Sequence, residues 1–355
     1  MLVRYVSLSL LLVAVACHSE EANQPTIASG APADTMAQPD TSVHADTSAQ
    51  TPPAPPPDSS ATPVTSASAP GIPFGDFHLP VSEFGNGSYT GSLQALWPLV
   101  VYQVLDAASA SGARVIISLA GSRTAYTNPD GTFNLAKWES RVARYKDYDL
   151  GRYVANGTVI GHYLVDEPYC TTCWGGKGID PGTLEDMARY SKSLWPTMPT
   201  GIRNYPSLMP LQGFPDIDFA WAQWAGALHQ PTLKITPEQF RDREVAAAKA
   251  RGVGLVFGLN YLDGGDGSSG INGTYAQDPN LGDGNTCDSR GHCYRYAMSV
   301  SEVQRIGTLL AASPYACALV NWKYNPTFIA RPGMREALDS VSSAARSRPR
   351  TSCVQ

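Results

Sequence analysis

Two adjacent carboxylates close an apolar run in Gly161-His162-Tyr163-Leu164-Val165-Asp166-Glu167-Pro168-Tyr169. A run of that kind reads as a strand buried on both faces, and the proline marks its end. Burying neighbouring acids costs free energy unless partners or a function offset it. A carboxyl beside a like charge has its pKa raised, as a general acid working near neutral pH requires. The same pair can instead serve structure, with Glu167 bridged to Arg123 or Arg203. A further carboxylate, Asp263, follows another apolar run in Asn260-Tyr261-Leu262-Asp263-Gly264. Asp263 and Asp166 are both candidates for the nucleophile or base that would work with Glu167.

The elements that must position these groups recur along the chain. Short apolar runs occupy 72–79, 114–119, 158–165, 200–205, 217–224, 253–260 and 316–322. Helices with readable ends lie between several of them. Asn134 caps a helix whose Leu135, Trp138, Val142 and Tyr145 keep helical spacing. Thr236 and Gln239 form a capping box around Pro237, and that helix stops at Gly252. Ser299 and Glu302 form a second box, opening a helix to about residue 312. Strand alternating with helix over roughly 285 residues (71–355) predicts an α/β fold, a (β/α)8 TIM barrel. An open doubly wound sheet is the rival, but no glycine-rich phosphate loop follows any strand. Seven strands are legible, and the eighth is expected within 122–156. That leaves Asp166 and Glu167 at the end of the third or the fourth strand.

Barrel active sites lie where the strands end, at the C-terminal face. The residues there include His78, Arg123, Arg203, Asn260, Tyr261 and Trp322. Amides, arginines and aromatics are the groups that hold a sugar, and these six are the candidate substrate contacts. Trp221 and Trp224 must point to opposite faces of their strand, so only one can enter the barrel. Asp166-Glu167-Pro168 resembles the Asn-Glu-Pro of glycoside-hydrolase barrels, which follows their fourth strand. The resemblance implies that Glu167 is the acid/base, with Asp166 standing where that family has Asn. The family's second Glu, a nucleophile after the seventh strand, has no counterpart here; Asp263 is the nearest carboxylate.

The termini and cysteines bear on setting. Residues 1–16 read as an export signal, with Arg4, an apolar stretch and small residues before Cys17. This resembles a bacterial lipobox and implies lipidation at Cys17, with the protein anchored to a membrane by that lipid only, periplasmic or at the cell surface. Residues 17–70 are rich in Ser, Thr, Ala and Pro, and such a segment is expected to be a disordered linker. The chain has 26 basic and 31 acidic residues. Setting aside Arg4 and the six acids of the linker leaves 25 of each, without a basic cluster, which argues against a nucleic-acid partner. Six cysteines follow: Cys170, Cys173, Cys287, Cys293, Cys317 and Cys353. An exported chain favours disulfides, and proximity favours 170–173, 287–293 and 317–353. A zinc site from Cys170, Cys173, Cys287, His292 and Cys293 is the sharper alternative.

No cofactor is expected, although the acids of the 264–292 loop could hold calcium without the ordered spacing of an EF-hand. There is no Gly-x-Ser-x-Gly, His-Glu-x-x-His or P-loop. The expected function is therefore a glycoside hydrolase acting on a poly- or oligosaccharide. The alternative is a non-catalytic barrel that binds carbohydrate or cell-wall material.

Overall fold

The computed structural model describes residues 70–211, 213–226, 235–274 and 296–354. Residues 1–69, on which the expected signal and linker and Cys17 fall, lie outside the described residues, as do Cys287, Cys293 and most of the long loop proposed for calcium.

Eight parallel strands form one sheet: β1 (Phe74–Asp76), β2 (Gly91–Ala95), β3 (Arg114–Ser118), β4 (Val159–Asp166), β5 (Thr200–Arg203), β6 (Phe219–Trp224), β7 (Gly254–Leu259) and β8 (Ala316–Asn321). Each strand from β2 to β8 pairs with its neighbour in sequence, and β8 pairs back with β1. A parallel bridge between Phe77 and Leu93 then joins β1 to β2. The ring is the expected TIM barrel.

The position of β2 corrects the expectation for the eighth strand. Residues 122–156 instead carry a 3-10 turn and the helices α2 (Leu135–Ala143) and α3 (Gly151–Ala155). β2 escapes detection because its sequence, Gly91-Ser92-Leu93-Gln94-Ala95, reads as a loop. Its polar side chains make the joint to β1: Ser92 Oγ donates to the Asp76 carbonyl at 2.8 Å, and Gln94 Nε2 to that of Leu79 at 2.8 Å. Glycines let the two backbones meet, since a Cβ on Gly75 would lie 1.8 Å from the Gly91 carbonyl oxygen. With β2 placed, Asp166 and Glu167 fall at the end of the fourth strand.

Helices α1 (Val101–Ser111), α4 (Pro181–Leu194), α5 (Pro237–Arg251), α6 (Val300–Ala311), α7 (Pro326–Ile329) and α8 (Met334–Arg346) complete the outer layer with α2 and α3. Their ends follow the sequence signals. Asn134 accepts from the Lys137 N–H, both capping boxes form, and Gly252 closes α5 with φ +66°. β1 and β5 depart from the regular alternation, being followed by 3-10 turns.

Apolar burial occurs in two shells. Leu93, Ile116, Tyr163, Phe219, Trp221, Val256 and Val320 fill the barrel, and a larger cluster lies between strands and helices. Cys317 and Cys353 are bonded, which staples the C-terminal segment to β8. Among the described residues no helix is long and apolar enough to cross a membrane.

Candidate active site at the barrel mouth

Asp166 ends β4 directly beside Arg203, the last residue of β5, with which it is in register. That register puts one guanidinium between two acids. Arg203 Nη1 donates to Asp166 Oδ1 at 2.6 Å, Nη2 lies 3.2 Å from Glu167 Oε1, and Nε donates to Gln223 Oε1 at 3.0 Å. Burial opposes charge on Arg203, but Asp166 and Glu167 more than offset this, and its pKa rises above the ordinary arginine value. Arg123 lies 3.7 Å from the other Asp166 oxygen and stacks over Trp174 at 4.7 Å.

Glu167 keeps 40% of its side chain exposed, against 18% for Arg203. The carboxylate is therefore paired but reachable. Its backbone has φ +42°, a left-handed conformation uncommon outside glycine. Three hydrogen bonds fix that backbone. Its N–H donates to the Arg203 carbonyl at 2.9 Å, and its carbonyl accepts from the Cys170 N–H at 3.0 Å and from Trp174 Nε1 at 2.9 Å. Among the described residues only His78 shares this conformation outside glycine, with φ +58°. His78 follows β1 at the same end of the barrel. Burial, together with nearby Lys323, lowers its pKa to about 4, so the ring is neutral at pH 7.

An aromatic stack continues from Arg203 across the mouth. The guanidinium carbon lies 5.8 Å from the Trp322 ring, Trp322 stacks on Phe77 at 5.0 Å, and Phe77 meets the His78 ring at 3.8 Å. A cavity of about 180 Å³ opens beside Glu167 and Arg203, with Tyr169, Asn204, Trp221 and Gln223 in its wall. Of the two tryptophans of β6, Trp221 enters the barrel, whereas Trp224 packs outside against Phe240. Asn260 forms a bridge to Trp322 at the end of β7, and its Oδ1 is buried without a hydrogen-bond partner among the described residues.

Two predicted residues are not brought to this group. Tyr261 is fully buried behind the barrel wall, where its hydroxyl donates to Asp76 at 2.8 Å. It fills a polar core position with Tyr89 and Asn321, which also donate to Asp76. Asp263 is buried within the loop after β7, against the Gly273 backbone, whereas Asp166 shares the Arg203 guanidinium with Glu167. The reason is geometric: a strand's last residues alternate, and the turn after β7 folds back so that Gly264 N–H donates to the Asn260 carbonyl. His162 also faces outward. It is buried between Trp138 and Trp195, with Nδ1 hydrogen-bonded to Ser191.

Asn204 and Gln223 sit at predicted strand ends, as the sequence places them, although neither is among the six candidate sugar contacts; Phe77 and Trp174 are not singled out by the sequence at all. Phe77 and Trp174 carry no local signal, because their roles depend on which strands are neighbours.

Cys170 and Cys173 are joined in the turn after Glu167, so the disulfide reading holds for that pair and the zinc alternative does not apply to its bonded form. The 287–293 pair lies outside the described residues. Asp266 accepts from the Ser268 N–H, as a turn acid does.

No family model matches this sequence, and no curated protein matches it. Solved structures with similar chain paths include a glucosidase from Croceicoccus marinus, with 12% identity over 78% of this chain and 68% of that one, at a TM-score of 0.46. A catalytic domain of an Ostrinia furnacalis group II chitinase has 11% identity over 79% and 98%, at 0.47. A β-1,4-D-mannanase from Cryptopygus antarcticus has 10% identity over 79% and 94%, at 0.44. Similarity at this level concerns the path of the chain, and activity has to be read from this chain's own side chains.

Proposed function

We propose that the barrel mouth is the active site of a glycoside hydrolase, with Glu167 as general acid/base and Asp166 as its partner carboxylate. The observation that carries this reading is the strained, accessible Glu167 at the end of the fourth strand. A left-handed glutamate costs about 1–2 kcal/mol, and such strain persists where function or surrounding structure demands it. Asp166 is favoured over Asp263 because Asp166 and Glu167 share the Arg203 guanidinium, so their carboxylates lie close together. Oε1 of Glu167 faces Arg203, which leaves Oε2 as the oxygen able to exchange a proton with a leaving group. The Trp322–Phe77 stack, whose two rings are partly exposed, offers an apolar surface to a sugar, and Gln223, Asn260 and Arg123 offer polar groups to its hydroxyls.

Glu167→Gln tests the assignment. It keeps the shape and the contact with Arg203 but removes the proton, so turnover on a proven glycan substrate should fall roughly 10²–10⁴-fold. The melting temperature should stay nearly unchanged. Retained turnover would remove Glu167 from the acid/base role. A second reading, a non-catalytic glycan-binding barrel, is favoured by one observation: Arg203 pairs with both acids, as a purely structural bridge would. Under it, Glu167→Gln and the parent protein would bind oligosaccharide equally and neither would cleave it.

The setting proposed with this function is an exported protein held at a membrane by a lipid on Cys17. A clickable fatty-acid analogue should label the parent chain in bacterial cells and not Cys17→Ala; equal labelling would refute the anchor.

A further inference from the structure

The turn that follows Glu167 holds chemistry that hydrolysis does not use. Cys170 and Cys173 form a disulfide with Cα atoms 5.2 Å apart, and both residues are partly exposed at the barrel mouth. Cys173 Sγ lies 3.8 Å from Glu167 Oε2, the carboxylate oxygen not engaged by Arg203. One ligand atom from each of Glu167, Cys170 and Cys173 falls within 4.8 Å of the others. Two further groups favour negative charge on the first sulfur. The Cys173 N–H donates to Cys170 Sγ at 3.2 Å, and the Thr172 hydroxyl lies 3.4 Å from it.

We propose that, once this disulfide is reduced, Cys170, Cys173 and Glu167 bind a soft divalent cation of the zinc class, and that the bound ion occupies the acid/base carboxylate. The balance is simple. A dithiol gives up two electrons and two protons and becomes a disulfide as the protein S–S bond breaks to two thiols; with a phosphine, the phosphine gives the two electrons and one water supplies both protons and the oxygen of the phosphine oxide. Binding of Zn²⁺ then displaces both thiol protons. Two thiolates with two residues between them suit zinc, and a carboxylate oxygen is an accepted third ligand. Glu167 can keep Oε1 on Arg203 while Oε2 takes the metal, an outer partner of the kind that orients metal ligands. The partial exposure of the turn leaves a fourth position to water. In the oxidised protein the sulfurs are bonded to each other and the site does not exist, so one disulfide decides between an open and a metal-blocked carboxylate.

The blocking consequence rests on the proposed acid/base role of Glu167, whereas the metal site does not, and the test reads the metal. The full chain is reduced with a phosphine, and Zn²⁺ alone is titrated against a chromophoric chelator. The parent, Cys170→Ser/Cys173→Ser and Glu167→Gln proteins are compared, with the oxidised parent as reference. The reduced parent should take up one more zinc per chain than the double-serine variant or the oxidised protein. Glu167→Gln, which retains both thiols and is expected to fold normally, should bind that ion at least about tenfold more weakly. Equal zinc uptake by the reduced parent and the double-serine variant would overturn the site. An affinity unchanged in Glu167→Gln would overturn the part played by the carboxylate.

Discussion

The left-handed backbone of Glu167 makes a prediction that separates strain from contact. Replacing Glu167 by Ala and by Gly removes the same carboxylate and the same 3.2 Å pairing with Arg203, so that loss cancels in the comparison. The lost pairing itself is small, about 0–1 kcal/mol, because the glutamate side chain is 40% exposed. What differs is the backbone. At φ +42° alanine keeps a penalty of about 1–2 kcal/mol that glycine does not feel. Glycine gives back about 0.5–1 kcal/mol through the greater freedom of its unfolded chain. Taking the midpoints of these ranges, Glu167→Gly should be more stable than Glu167→Ala by about 0.8 kcal/mol, the reverse of the order at an ordinary strand position. Urea unfolding of both variants, followed by tryptophan fluorescence, measures the difference. Both should lack hydrolytic activity, so stability and turnover would separate at one residue. If the alanine variant is as stable as the glycine variant or more so, the strain is absent and the functional argument built on it fails.

Acid sensitivity should be traceable to His162. Burial lowers its pKa from 6.5 to about 3, so the unfolded chain binds the proton first as pH falls below 6.5, and stability drops with it. Between pH 7 and pH 5 this one group removes about 2 kcal/mol. His78, lowered to about 4, acts in the same direction over that range. Asp76, raised to about 6 mainly by burial, acts in the opposite one, since it takes up its proton in the folded state first. Urea midpoints at pH 5 and pH 7 should differ less for His162→Gln than for the parent, and an equal difference would clear His162. The Cys317–Cys353 bond encloses a 36-residue separation, so Cys317→Ser/Cys353→Ser should lose roughly 3–4 kcal/mol in the same assay. A loss under 1 kcal/mol would mean that the C-terminal segment is held by packing alone.

Much of this molecule is determined by sequence at short range. The apolar runs of β3 to β8, the capping boxes at Thr236 and Ser299 and the stop at Gly252 are local features. They work through hydrogen bonds and side-chain periods within a few residues, and they suffice to call for alternating strands and helices. The placing of Asp166 and Glu167 at a strand end is equally local, since Pro168 follows them. What the sequence leaves open is everything decided by neighbours across the ring. β2 is polar because its side chains bond to β1, a partner visible only once the barrel closes. Arg203 is a distant arginine in the chain, yet the register of β4 on β5 makes it the ion that holds both acids. Tyr261 and Asp263 follow an apolar strand as a site residue would, but the turn after β7 sends one into the core and the other against Gly273. The strain at Glu167 is likewise a tertiary fact. Nothing in Asp-Glu-Pro demands a positive φ; hydrogen bonds from Cys170 and Trp174, and one to Arg203, hold it there. Composition and spacing select the elements, while the closure of the barrel selects which of their ends meet.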